Sequence, residues 1–219
     1  MANFSFAEQA LDLQDRYPEF DHYVEKADSV DLIGAVKLID PQKGFVWESY
    51  EVKIELRAGF PTVLPKTYVL SKNVPWTYDR HIGNNGGCCM APEAEEYCIL
   101  GRDYSLVAYV EKLVIPFFAS QKLFDLEGCW PHGDYSHFTS GLVSYYKQKL
   151  GLDSLEKVIF ALSIAVGKTR LGRNDPCFCG SGQKLKKCHL PPIEGMWLIP
   201  RFVIQANLDE IRGEIGALG

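Results

Sequence analysis

The chain of 219 residues contains no run of eighteen or more apolar residues, so no conventional membrane-spanning helix is expected from it. Its first residues, Met1-Ala2-Asn3-Phe4-Ser5, carry neither the basic nor the apolar region of a signal peptide, and export by that route is not expected. A surplus of positive charge is also missing. Lys and Arg number 23 against 28 Asp and Glu, and the net charge of −5 has the wrong sign for a protein that works by neutralising a phosphate backbone. Internal repeats and low-complexity tracts are absent. What remains is an ordinary globular composition, 47% apolar and 23% charged, long enough for one sizeable domain and a small appendage. The expectation is a cytoplasmic protein with neither membrane nor nucleic acid as its partner, whose seven cysteines stay reduced.

Three of those cysteines form a pattern near the C-terminus: Cys177-Phe-Cys179, eight residues, then Cys188-His189. Structural Zn²⁺ takes four thiolate or imidazole ligands in a tetrahedron, and Cys177, Cys179, Cys188 and His189 supply three sulfurs and one nitrogen. Gly180-Ser181-Gly182 can make the tight turn between the pairs, and Gln183 to Lys187 can begin a short helix that returns the second pair to the first. Buried structural thiols rarely sit among Gly, Ser and Lys, which argues against unrelated cysteines in a polar loop. The stretch from Gly172 to Gly182, with its Lys186-Lys187-Cys188-His189 ending, closely resembles the SEC-C motif, a zinc knuckle of bacterial proteins. Zn²⁺ is therefore the expected cofactor.

Upstream, Phe6 to Glu19 has the apolar spacing of an amphipathic helix ended near Pro18. Val30 to Ile39 alternates weakly, residues 40–44 form a turn, and Glu48 to Leu56 alternates cleanly, with Tyr50, Val52, Ile54 and Leu56 on one face. A third strand resumes at Thr67 to Leu70. Ser105 to Phe124 is helical in period, with Leu106, Tyr109, Val110, Leu113, Val114 and Phe117 as core and Pro116 as an interruption. Helices are expected at Leu142 to Leu150, Ser154 to Val166 and Asn207 to Ile215, and Lys168 to Arg173 reads as a linker.

Between strand and helix lies a Gly- and Asn-rich loop holding Cys88, Cys89 and Cys98. The sequence His81-Ile-Gly-Asn84-Asn85-Gly-Gly-Cys88-Cys89-Met90, after a helix, a hairpin and Phe60-Pro61…Pro65, resembles the ubiquitin-conjugating-enzyme superfamily, which includes the non-catalytic RWD domains. Gly128-Cys129-Trp130-Pro131-His132-Gly133, with His137, Gly141, Tyr145 and Tyr146, resembles the bacterial branch of that superfamily. Ile82 stands where the family has proline, and Asn84 falls one place late. The resemblance implies an α+β, ubiquitin-conjugating-like fold, an antiparallel meander sheet packed by helices. It assigns Cys89 as thioester nucleophile, His81 as a loop-shaping residue and Asn84 as an oxyanion donor.

Other roles for these side chains stay open. Cys88 and Cys98 are alternative nucleophiles, although Cys88 points opposite to Cys89 in an extended segment and Glu95 and Glu96 stand beside Cys98. A second zinc site built from Cys88, Cys89, Cys98 and His81 lacks a paired C-x-x-C spacing. His132 and His137 with Asp134 can form an acid–base group or simply pin their turn. Lys184, Lys186 and Lys187 can meet nucleic acid or an acidic partner, or only solubilise the knuckle.

The expected organisation is a conjugating-like domain over 1–150, a helical linker over 151–171, the knuckle over 172–192 and a tail over 193–219. The expected function is an acyl transferase that carries a ubiquitin-like or nucleotidyltransferase C-terminal glycine as a thioester and passes it to lysine. Its partners, as the resemblance implies, are a ubiquitin-like protein or a cGAS-like nucleotidyltransferase, and an adenylating enzyme, in bacterial anti-phage (CBASS-type) defence. The alternative is a non-catalytic RWD-like adaptor with a zinc knuckle.

Overall fold

The computed structural model describes residues 6–40, 42–131 and 138–218, and the side chains of Phe138 and residues 215–218 lie outside the description. The order of elements is α1 (Phe6–Arg16), β1 (His22–Glu25), β2 (Ser29–Ile39), β3 (Val46–Arg57), β4 (Lys66–Val69), α2 (Glu93–Leu100), α3 (Leu106–Tyr109), α4 (Ile115–Glu127), α5 (Phe138–Leu150), α6 (Leu155–Ala165), α7 (Leu190–Glu194) and α8 (Arg201–Leu218). The chain divides into two compact units, Met1–Met90 with Leu100–Gly133, and Ala91–Ile99 with Asp134–Gly219.

The first unit is built on a four-stranded antiparallel meander in the order β1-β2-β3-β4. Alternation in β3 does what the sequence indicates: Tyr50, Val52, Ile54 and Leu56 are buried, while Glu51, Lys53 and Glu55 face outward. Val30, Leu32, Val36 and Leu38 of β2 share that buried face. Gly34 sits among them because a Cβ there would fall 2.5 Å from the Glu19 carbonyl oxygen and 2.6 Å from the Phe20 Cα, so only glycine lets that segment cross the sheet. β1 is the strand that periodicity misses. It has four residues with no alternation of burial, and its pairing with β2 holds it.

Leu106, Tyr109, Val110, Leu113, Val114, Phe117 and Phe118 fill the space against the sheet, with Phe118 stacked on Tyr50 at 4.6 Å between ring centroids. Pro116 does interrupt the helix, and the form of the interruption is specific. Residues Val110–Val114 widen into one π-helical turn between α3 and α4, in which the Ile115 N–H reaches the Val110 carbonyl. Proline has no N–H for the regular ladder, and a local π turn is a common way to absorb such a defect.

The second unit is helical. Tyr145, Tyr146 and Leu150 of α5, Val158, Ala161 and Leu162 of α6, and Val203, Ile204, Leu208 and Ile211 of α8 are buried. Ser154 caps α6 by accepting from the Lys157 N–H at 3.3 Å, and Asn207 donates to the buried Tyr146 hydroxyl at 2.9 Å. The sequence suggests a boundary at 150, a linker over 151–171 and a tail after 193. The compact units divide at Met90/Ala91, Ile99/Leu100 and Gly133/Asp134, and α5, α6 and α8 pack on one another through these apolar stripes. His132, Asp134 and His137, read as a possible acid–base group, lie outside the described residues. Among the described residues, no helix is long and apolar enough to cross a membrane.

The Tyr109 hydroxyl makes a test of the first core. It is fully buried, shares a 3.0 Å hydrogen bond with Thr67 Oγ1 and donates to the Pro65 carbonyl at 3.2 Å. Tyr109→Phe strands these partners and is expected to lower stability by about 1 to 2 kcal/mol, read by urea unfolding at unchanged m-value.

Candidate metal centre and cysteine loop

The knuckle is laid out by backbone turns before any side chain is considered. The Gly172 N–H donates to Asp175 Oδ2 at 2.7 Å, Leu185 N–H to the Asp175 carbonyl at 2.9 Å and Cys177 N–H to the Gln183 carbonyl at 2.8 Å. These bonds close the segment into a loop whose bend, Gly180-Ser181-Gly182, uses φ of +83° and +74° at its two glycines. A single 3₁₀ turn, Leu185–Lys187, then delivers Cys188 and His189.

One donor atom from each of Cys177, Cys179, Cys188 and His189 falls within 4.8 Å of all the others. Cys179 Sγ lies 3.6 Å from Cys188 Sγ, and His189 Nδ1 lies 3.3 Å from Cys177 Sγ and 3.1 Å from Cys188 Sγ. Ligands at zinc–sulfur and zinc–nitrogen bond lengths span tetrahedral edges of about 3.5 to 3.8 Å, so this Cys₃His set fits a tetrahedral metal such as zinc. Ser181 beside Cys179 holds that thiol down at about 6, while burial pushes the Cys177 thiol up. Phe178 stands between the first two candidate ligands, and their spacing alone gives it no role. Its ring packs on Phe160 of α6 at 5.1 Å and on the His189 ring at 5.3 Å, so it joins the knuckle to the helical unit and braces a ligand. Its signal in the sequence is an aromatic side chain between two cysteines.

The cysteine loop belongs to the first unit. Its residues 86–88 lie along the outer edge of β4: the Val69 N–H donates to the Gly86 carbonyl at 2.9 Å and the Cys88 N–H to the Thr67 carbonyl at 2.9 Å. Gly86 has φ +81°, and a Cβ there would sit 2.5 Å from the Val69 carbonyl oxygen, so the close approach requires glycine. The chain preceding it folds back as a small hairpin. Ile82 bridges Cys88, the Gly83 N–H donates to the Gly87 carbonyl at 2.9 Å and the Cys89 N–H to the His81 carbonyl at 2.8 Å. Asn85 Oδ1 accepts from the Gly87 N–H at 3.0 Å and sets the turn.

This arrangement places the residues singled out from the sequence. His81 and Cys89 meet through the backbone at the base of the hairpin, although they are eight residues apart. His81 is the one non-glycine residue with positive φ, 53°, among the described residues, and its ring packs on Trp130 at 5.2 Å. Asn84 is exposed, at the turn that the Gly86 N–H closes on the Gly83 carbonyl at 2.8 Å. Cys88 is half-buried, and burial pushes its thiol up to about 12. Cys89 is exposed. Cys98 is on α2 in the second unit, 3.7 Å from the Tyr145 hydroxyl, so it belongs to a different environment. Neighbouring Glu96 is buried, and burial, with Glu93 adding, raises its carboxyl to about 8. Among the described residues, Cys177, Cys179, Cys188 and His189 form a cluster that could hold a metal ion; Cys88, Cys89, Cys98 and His81 do not.

Comparison with known proteins bears on the knuckle. Residues 173–191 match the SEC-C motif family. A protein translocase subunit SecA of Polaromonas sp. is 60% identical over 37 residues, 17% of this chain and 4% of that protein. The SecA subunit of Koribacter versatilis is 80% identical over 20 residues, 9% of this chain and 2% of its own length. The chain thus spans only a few per cent of the length of these relatives. No solved structure matches it. The chain carries a SEC-C motif.

Elemental analysis of the purified protein is expected to find one zinc per chain, and Cys188→Ser is expected to lose it. Chelation should lower the melting temperature of the helical unit by about 5 °C or more, because binding free energy of a structural metal is folding free energy. Acidification should release the ion as the thiolates take up protons.

Proposed function

We propose that the chain is a ubiquitin-conjugating-like thioester carrier with zinc resident in its SEC-C knuckle. The observation that carries the reading is the pair Cys88 and Cys89. One thiol is half-buried with its pKa pushed up by desolvation, and the next is exposed at the base of a hairpin that backbone hydrogen bonds fasten to the sheet. A carrier needs a single accessible thiol on a rigid mount, so that two protein chains can reach it in turn. Supporting the reading, a helix precedes an antiparallel meander, the cysteine loop follows β4 and a helix ends in the Gly128-Cys129-Trp130 segment, as in the superfamily that the sequence resembles.

In the proposed reaction the Cys89 thiolate attacks the carbonyl carbon of an activated C-terminal glycine. A carbon–sulfur bond forms as the activating group leaves, AMP from an acyl-adenylate or the thiolate of an upstream enzyme. A lysine amine then attacks the thioester carbonyl, forms the amide, releases the Cys89 thiolate and gives its proton to solvent. His81 acts here through its main-chain carbonyl, which holds the Cys89 N–H. A ubiquitin-like protein or a cGAS-like nucleotidyltransferase would supply the glycine, with an adenylating enzyme upstream, in a bacterial defence setting. The adaptor reading draws on Ile82, which replaces the proline of catalytic relatives.

Non-reducing intact mass spectrometry of protein isolated from its native cells separates the two. A thiol-labile adduct present in the wild-type chain and lost in Cys89→Ala is expected. If neither chain carries an adduct while its partner is present, the adaptor reading stands instead.

A further inference from the structure

The mount of Cys89 is fastened from a second side, by α4. The side chain of Arg80, only 13% exposed, lies over the Phe124 ring at 4.3 Å and pairs with Asp125. Its Nη1 donates to the Gln121 main-chain carbonyl at 3.3 Å and to Gln121 Oε1 at 3.4 Å. Gln121 is fully buried, and its Nε2 donates at 2.7 Å to the main-chain carbonyl of Arg80. A single amide therefore holds both the side chain and the backbone of the residue that leads into the hairpin. The next residue, His81, takes its left-handed conformation there and rests its ring on Trp130, which itself packs on Phe124 at 4.9 Å. The His81 carbonyl then accepts from Cys89.

We infer that Gln121 and Arg80 are positioning residues for Cys89, with the Gln121 amide as the decisive link from α4 to the loop backbone. The two bonds of that amide have different jobs. Oε1 orients the guanidinium, whereas Nε2 is the one contact in this group that donates to the loop's main chain. A buried polar side chain with both ends used is costly to replace, and removal of its donor alone frees the Arg80 carbonyl without opening a cavity. The consequence for acyl transfer rests on the carrier reading; the consequence for the loop does not.

Two variants separate this role from general stabilisation. Gln121→Glu keeps the size and the acceptor facing Arg80 but replaces the Nε2 donor by oxygen. Arg80→Lys removes the guanidinium fork but leaves the Nε2 bond to the residue-80 carbonyl. Amide hydrogen exchange on the full chain reads both. Exchange at the Cys89 N–H is expected to rise about tenfold or more in Gln121→Glu and to change by less than about threefold in Arg80→Lys, with β2 and β3 amides unaffected in either. An unchanged Cys89 amide in Gln121→Glu, a larger effect from Arg80→Lys, or an equal rise across β2 and β3 would overturn the inference. Should Gln121→Glu lose its cooperative melt, Gln121→Met, which keeps the volume and adds no charge, carries the same expectation. Thioester formation measured in parallel should fall with Gln121→Glu. A wild-type chain that forms no thioester counts against the carrier reading alone and leaves the exchange result to decide the role of Gln121.

Discussion

The outer edge of β4 carries backbone groups that the meander leaves unpaired, and the arrangement of the cysteine loop follows from how residues 86–88 meet them. Val69 N–H to Gly86 and Cys88 N–H to Thr67 continue the ladder beyond the last strand. Once Cys88 is fixed in an extended, paired segment, side-chain alternation leaves its thiol on one side and that of Cys89 on the other. Gly86 is part of the same constraint, since any side chain there would push the loop off the Val69 carbonyl. An exposed strand edge is a site for unwanted pairing, and the loop covers this one while gaining a rigid base. The folded-back hairpin then sets His81 against Cys89, and α4 holds His81 through Arg80 and Gln121.

The knuckle solves a different problem. A segment of about twenty residues rich in Gly, Ser and Lys cannot bury enough apolar surface to hold one conformation, and here Cys177 and Leu185 are its buried members. Four convergent donors, Cys177, Cys179, Cys188 and His189, are placed where a tetrahedral metal would supply the missing cross-links, and Phe178 on Phe160 attaches the segment to α6. The helical unit therefore joins an apolar core, made by α5, α6 and α8, to a loop whose donor side chains converge on one point.

The two halves differ in how far their residues announce the structure. The knuckle is legible because ligand chemistry admits few residue types and a turn admits few spacings; Cys177, Cys179, Cys188 and His189 converge as their pattern indicates. β3 and the stripe from Leu106 to Phe117 are legible because each buries one face, which writes a period of 2 or 3.6 into the chain. β1 is not legible, because an edge strand of four exposed residues leaves no such record. The packing of α5 with α6 and α8 is hidden for another reason: the same apolar stripe serves equally well against a sheet or against other helices, and only the tertiary partner distinguishes them. The loop is intermediate. Its glycines and the opposite sense of Cys88 and Cys89 can be read, but the pairing of His81 with Cys89 and the position of Asn84 at the turn depend on backbone hydrogen bonds that composition does not encode.

The central claim is that the fold presents the Cys89 thiol and withholds its neighbour. Site-resolved alkylation of the intact, metal-loaded chain by iodoacetamide, quenched over time and read by peptide mass, measures it directly. Cys88 is half-buried and its thiol is pushed up to about 12 by desolvation, so at pH 8 the thiol form dominates there. Cys89 should therefore be modified well ahead of Cys88, and the Cys88 rate should keep climbing with pH beyond 9. Modification of Cys88 at the rate of Cys89 at pH 8 would contradict the account.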